Sequence, residues 1–375
     1  MKLTRITGIA AGLSLLVAGM QAQVSLPAVF TDHMVLQQKS EVPVWGWGSA
    51  SATIKVVGSW APQDTATTVV RSDGTWDTTL KTIGAGGPYT LSVLGDGTRE
   101  LKDVMLGEVW LCSGQSNMEW TPMHGIDNSE EEVAAANYPN IRFFHIPKRG
   151  AATPQNNCEA SWAPCTPDRM KSTSAIAYFF GRDLQKDLNV PVGLIVSAWG
   201  GTPAEVWVPE EQVMNNSRIR DVMPDKTYPW WPVEPGVLYN QMISPVVPYA
   251  LAGAIWYQGE SNRDHPDSYG ILLKTMVESW RKSFKKDFPF YLVQIAPFTY
   301  NAGDNGAALV REHQEWVART VPGAGMVAVS DCVADVKNIH PTDKQSVGQR
   351  LANMALGKIY GRLDSGYESP LFESM

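Results

Sequence analysis

From Gly107 onward, short apolar runs alternate with longer stretches of helical period, and this alternation constrains the fold more than any other feature of the chain. The runs at 108–113, 141–146, 192–198, 252–257, 290–295 and 326–330 are nearly continuous in apolar residues, as parallel strands covered on both faces require. Between them, 174–188, 268–284, 307–321 and 344–360 repeat apolar residues with the period of an amphipathic helix. Strand and helix in turn predict an α/β fold with a doubly wound parallel sheet, in which ligands sit beyond the carboxyl ends of the strands. Chemistry is therefore expected where the runs end. Two stretches, 147–172 and 208–245, are rich in Pro, Asn and Trp and follow no period, as walls or lids of a site do.

Residues 23–103 read differently. Short runs such as Thr53-Ile54-Lys55-Val56-Val57 and Tyr89-Thr90-Leu91-Ser92-Val93 are separated by turn residues, among them Ser72-Asp73-Gly74-Thr75. No helical period occurs, which predicts a small β-sandwich-like domain. Ahead of it, Lys2 and Arg5, an apolar stretch through Met20 and the small Ala22 predict a signal peptide over residues 1–22. The protein is then secreted or periplasmic, and the stretch is short for a membrane span.

With 44% hydrophobic and 18% charged residues, the 375-residue chain is globular. A net charge of −7 without a basic run argues against nucleic acid and anionic lipid as partners. Fourteen Trp and twelve Tyr fit either core packing or platforms for sugar rings. Cys158 and Cys165 are near enough in sequence for a local disulfide, while Cys112 and Cys332, ending apolar runs, suit buried free thiols. No cysteine spacing is that of a zinc site, and no metal is expected.

The first α/β strand runs into Gly114-Gln115-Ser116-Asn117-Met118. Glycine permits a sharp turn that leaves Ser116 facing an incoming carbonyl. A serine hydroxyl becomes a useful nucleophile only with a base for its proton and donors for the oxyanion. Candidate donors are the Ser116 N–H, the N–H of Gly201 in Trp199-Gly200-Gly201-Thr202, and the amide of Gln258 in Gln258-Gly259-Glu260-Ser261-Asn262. Gln115, Asn117 and Glu260 are expected to support these loops, and a buried Glu260 must find a partner. Of six histidines, His340 in Asn338-Ile339-His340-Pro341 follows the last strand and is the preferred base; His265, before a proline, is its rival. The carboxylate behind the histidine is read as Asp335, with Asp331 the alternative.

Taken in order, these blocks resemble the sialate O-acetylesterase family of the SGNH hydrolase superfamily. Asp343-Lys344 and Val347-Gly348-Gln349-Arg350-Leu351 extend the last block, and the stretch from Phe30 to Gln37 with Val42-Pro43-Val44-Trp45-Gly46 is similar to the family's opening. The resemblance spans residues 26–361. It implies a flavodoxin-like catalytic domain over residues 104–361, a Ser-His-Asp acyl-enzyme route that releases acetate from an O-acetylated sugar, and no cofactor. O-acetylated sialic acid is the leading substrate, with Arg263 or Arg311 conceivable partners for its carboxylate. An acetylxylan or other plant-polysaccharide esterase is the close alternative, and a non-catalytic glycan-binding protein the alternative of another class. Two departures stand out. Lys337 takes the place, three residues before His340, where many SGNH enzymes keep the acid, and residues 362–375 read as the start of a further β domain that the chain does not continue.

Overall fold

The computed structural model describes residues 23–223, 227–301 and 303–370, so the predicted signal peptide lies outside the described residues. Seven strands form the N-terminal part and the entry to the α/β part: β1 (Val35–Gln37), β2 (Glu41–Trp47), β3 (Thr53–Gly58), β4 (Ala66–Val69), β5 (Thr75–Lys81), β6 (Gly86–Gly95) and β7 (Gly97–Gly114). β2 and β5 pair as an antiparallel ribbon, while β4, β3 and β6 join antiparallel onto β7. The buried residues of β2 alternate with exposed or half-exposed ones, the period-2 pattern of a strand with one face inward. Val42, Val44, Trp76 and Leu80 of the ribbon share one core with Ile54, Val56, Leu91 and Val93 of the other strands.

The expected boundary at residue 103 falls inside a single strand. β7 is 18 residues long, and its second half is the centre of the α/β sheet. There β8 (Tyr138–His145), β9 (Trp162–Cys165), β10 (Val192–Ala198), β11 (Gly253–Tyr257), β12 (Phe290–Val293) and β13 (Ala324–Val327) join it in the order β13-β12-β11-β7-β10-β8-β9. All these pairings are parallel except that of β9. Neighbouring residues face opposite sides, as a doubly covered sheet demands. Leu111, Ile195, Ala254 and Trp256 lie in one core with helices Tyr269–Phe284 and Gly306–Thr320. Cys112, Val196, Ile255 and Tyr257 lie in a second core with helices Ala175–Leu188 and Lys344–Lys358.

Numbered along the chain, the six parallel strands run 2-3-1-4-5-6; without β8 the other five run 2-1-3-4-5, the order of a flavodoxin-like sheet, and β8 with β9 extends that sheet beyond β10. β9 is an edge strand that periodicity does not reveal. It carries Pro164, which has no N–H to donate and suits a sheet edge, and it pairs with β8, holding β8 outermost among the parallel strands. β10 then returns beside β7, and β11 crosses to its other side. The loops after β7, β10 and β11 therefore open together where the winding reverses, the place such sheets bind ligands.

Cys158 and Cys165 form no disulfide; all four cysteines are buried free thiols. Among the described residues, no helix is long and apolar enough to cross a membrane.

Candidate active site

The turn after β7 is built by contact with its neighbours. Gly114 has φ +145°, and a side-chain carbon placed on it would lie 2.1 Å from the Tyr257 carbonyl oxygen. Only glycine fits there. The Gln115 N–H donates to that same carbonyl at 2.9 Å, and the Gln115 side-chain oxygen accepts from the Gly259 and Ser261 N–H groups at 3.2 and 3.4 Å. A short helix, α1 (Ser116–Glu119), begins at the candidate nucleophile, so the first N–H groups of that turn have no intrahelical acceptor.

His340 reaches Ser116 from the segment between β13 and the last helix. Its Nε2 stands 2.9 Å from Ser116 Oγ. The ring stacks on Trp120, with centroids 4.0 Å apart and planes at 20°. Asn117 Nδ2 donates to the Ile339 carbonyl at 3.1 Å, tying the histidine's segment to the nucleophile's turn. Asp343 caps the last helix by accepting from the Ser346 N–H at 2.9 Å, which anchors the segment at its far end. Burial, then the nearby Lys344 and His124, push the His340 pKa down from its usual 6.5 to about 4. The imidazole is neutral at physiological pH and able to accept a proton from Ser116.

The two aspartates read as the acid do not meet this histidine. Asp331 is exposed and bidentate on Arg350, with oxygens at 2.5 and 2.7 Å, and that guanidinium pulls its carboxyl down to about 2. Asp335 accepts from the Lys337 N–H at 2.8 Å, closing a local turn on an exposed segment. Among the described residues, neither carboxylate hydrogen-bonds to His340. The indole face of Trp120 instead fixes the ring. The rival base, His265, is withdrawn into a buried cluster: its Nε2 lies 3.0 Å from Glu205 and 3.1 Å from Asn262.

The candidate oxyanion donors divide. The Gly200–Gly201 turn packs directly on the nucleophile, since a side-chain carbon on Gly200 would stand 3.1 Å from Ser116 Cβ. The Gly200 N–H is taken by Glu119 at 2.5 Å, and Glu119 is paired with Lys148. Gln258 is fully buried. Its NH₂ donates to Asn262 Oδ1 at 2.7 Å and to the Thr202 carbonyl at 3.3 Å, so this amide braces the loops from behind rather than serving an oxyanion.

Residues 106–357 match the family described as carbohydrate esterase, sialic acid-specific acetylesterase. The chain belongs to this family. The sialate O-acetylesterase of Homo sapiens is 32% identical over 385 residues, covering 92% of this chain and 72% of that protein. That of Rattus norvegicus is 31% identical, with 91% and 74% covered. Among solved structures, a carbohydrate acetylesterase from Xanthomonas citri superposes with a TM-score of 0.80 at 35% identity, covering 90% of this chain and 76% of that one. The protein is an ester hydrolase.

Behind Ser116 of this esterase lies a buried polar chain that sequence patterns only partly expose. Lys344 donates to Asn117 Oδ1 at 2.6 Å, and Asn117 Nδ2 donates to Glu260 Oε1 at 2.8 Å. All three side chains are buried. Burial drives the Lys344 pKa down to about 7, against the opposing pull of Glu260 and Asp343, and drives the Glu260 pKa up. Glu260 thus finds the partner its burial demands, in Asn117. Lys344 sits in a block similar to the family's, but nothing local marks a lysine as buried. Trp120 and Glu119 carry no signal of their own either; only the fold brings them to His340 and Gly200. Arg263 is committed to Asp304 and stacks on Tyr300 at 4.4 Å, which leaves it poorly suited to hold a substrate carboxylate.

Proposed function

We propose that this esterase removes O-acetyl groups from sugars through an acyl-enzyme formed on Ser116. The observation that carries the reading is the 2.9 Å contact between Ser116 Oγ and a neutral His340. His340 Nε2 takes the hydroxyl proton as Oγ attacks the acetyl carbonyl, then returns it to the departing sugar oxygen. Water, deprotonated by the same nitrogen, attacks the acetyl-enzyme and frees acetate. The N–H groups of Ser116 and Gly201 are the oxyanion donors of this reading, and Ser116 with His340 acts as a pair whose ring is held by Trp120. O-acetylated sialic acid is the leading substrate on the strength of the family, with acetylated xylan next. Export through residues 1–22 fits Lys2, Arg5 and the apolar stretch that follows them.

The test is acetate release from O-acetylated sialic acid and from acetylated xylo-oligosaccharide, by wild type and by Ser116→Ala. Loss of about 10³-fold or more in the variant is expected. Equal release by both proteins would leave glycan binding without catalysis as the better reading.

A further inference from the structure

The stretch 227–232 rises beside the nucleophile in an arrangement the reaction scheme does not use. Gly201 has φ +81°, and a side-chain carbon placed on it would lie 2.4 Å from both Cδ2 and Cε3 of Trp231 and 2.7 Å from Cε2. Near-equal distances to these fused-ring atoms mean that one face of the indole lies flat on Gly201. Tyr228 stacks on the same indole, with ring centroids 5.0 Å apart and planes at 26°. Gly201, Trp231 and Tyr228 therefore form one stacked column of contacts that includes the oxyanion glycine. The Gly201 carbonyl is fixed from elsewhere, accepting from Ser261 Oγ at 2.9 Å. Beside the column, Trp230 is 74% exposed, far more than any other Trp among the exposed large side chains, and Tyr228 is 41% exposed. An exposed indole beside the site offers an apolar face on which a ligand can be buried.

We propose that residues 228–231 form the sugar-side wall of the acetylesterase site, in which Trp231 positions Gly201 and the exposed Trp230 takes the apolar face of a pyranose ring. This rests on the esterase reading of Ser116. The wall presents aromatic surface, so it recognises the ring's C–H face and does not require a charge on the sugar. Trp231, in contact with Gly201 and stacked with Tyr228, is a positioning residue. Filling of the wall by a sugar also bears, through Tyr228 and Trp231, on the glycine that holds the oxyanion.

The experiment compares p-nitrophenyl acetate, which offers the wall no sugar, with whichever of O-acetylated sialic acid and acetylated xylo-oligosaccharide the wild type turns over faster. Turnover of the aryl acetate and of that sugar ester by wild type, lost in Ser116→Ala, is established first; absence of turnover on all of them refutes the acetylesterase reading and the wall with it. Trp231→Ala is then expected to lower kcat on both substrates, by about 10²-fold if the oxyanion glycine shifts by an ångström. Trp231→Phe, which keeps a ring on Gly201, restores most of that loss. Trp230→Ala is expected to raise KM for the sugar ester and to cut the ratio of sugar-ester to aryl acetate kcat/KM about 5- to 10-fold. Thermal melting of each variant separates these effects from unfolding, and Tyr228→Ala gives a milder probe of the column if Trp231→Ala does not fold. Unchanged kcat in a folded Trp231→Ala or Tyr228→Ala, or an unchanged substrate ratio in Trp230→Ala, overturns the wall while leaving the esterase reading intact.

Discussion

His340 carries Ser116 Oγ at one ring nitrogen and the indole of Trp120 on its face, with Lys344 and His124 adding to the cost of a positive charge already penalised by burial. A depressed histidine pKa keeps the base neutral, and so competent, as pH falls. kcat/KM for an acetyl ester is therefore expected to hold from neutral pH to about pH 5 and to drop below it, with an apparent pKa near 4. An acid limb at the ordinary 6.5 would show that the imidazole is solvated and free of these neighbours. Lys344→Met removes the second cause of the shift and should move the limb upward. Asp335→Asn and Asp331→Asn, each facing another partner, should change kcat by less than about fivefold, against the ~10⁴-fold cost of losing a true triad carboxylate. Steady-state kinetics on both variants decide this directly.

At the scale of elements, the turn after β7 concentrates the constraints. Gly114→Ala would force an L side chain into φ +145° and against the Tyr257 carbonyl, so it should destabilise the protein by about 2 kcal/mol or more and disturb Ser116 as well. The midpoint of denaturant unfolding measures the first effect and acetate release the second. Asn117→Leu keeps the branched shape but strips the bridge between Glu260 and Lys344. Two buried ionisable groups then lose their shared partner, which should cost about 3–5 kcal/mol. Because Asn117 also holds the Ile339 carbonyl, activity should fall further than stability alone explains.

Over the whole molecule, β7 joins two regions that composition separates. One strand pairs with β6 in its first half and with β10 and β11 in its second, and a single apolar core contains Val42 and Trp76 together with Leu272 and Val310. Calorimetry should accordingly show one cooperative transition; two resolved peaks would mean that the N-terminal strands unfold on their own. Stability should also depend on pH with a definite sign. His340 and Lys344 both have folded pKa values below their usual 6.5 and 10.5, so the unfolded chain binds more protons between about 4 and 6.5 and between about 7 and 10.5. Their contribution is full above the unfolded values and is lost as pH falls through each window. The thermal midpoint should decline from pH 6.5 toward pH 4.

Much of this fold is local in origin. Apolar runs of four to eight residues and amphipathic stretches between them determine strands and helices wherever burial on both faces leaves the pattern no second solution, as at Val192–Ala198 and Ala175–Leu188. β9 escaped because four residues with a proline carry too little period to stand out, and the place of β8 beyond β10 escaped because pairing is a contact between distant segments. The site divides in the same way. Gly114-Gln115-Ser116 is legible because a strand end, a glycine and a serine lie together in the chain, and His340 because it stands between the last strand and the last helix. The sequence by itself determined these elements and these candidate groups. Only the tertiary structure decided that Trp120 rather than an aspartate lies against His340, that Gln258 turns inward, that Lys344 is buried behind Asn117 and that Trp231 covers Gly201. Those facts depend on burial and on hydrogen bonds between residues dozens to hundreds of positions apart, which no local pattern encodes.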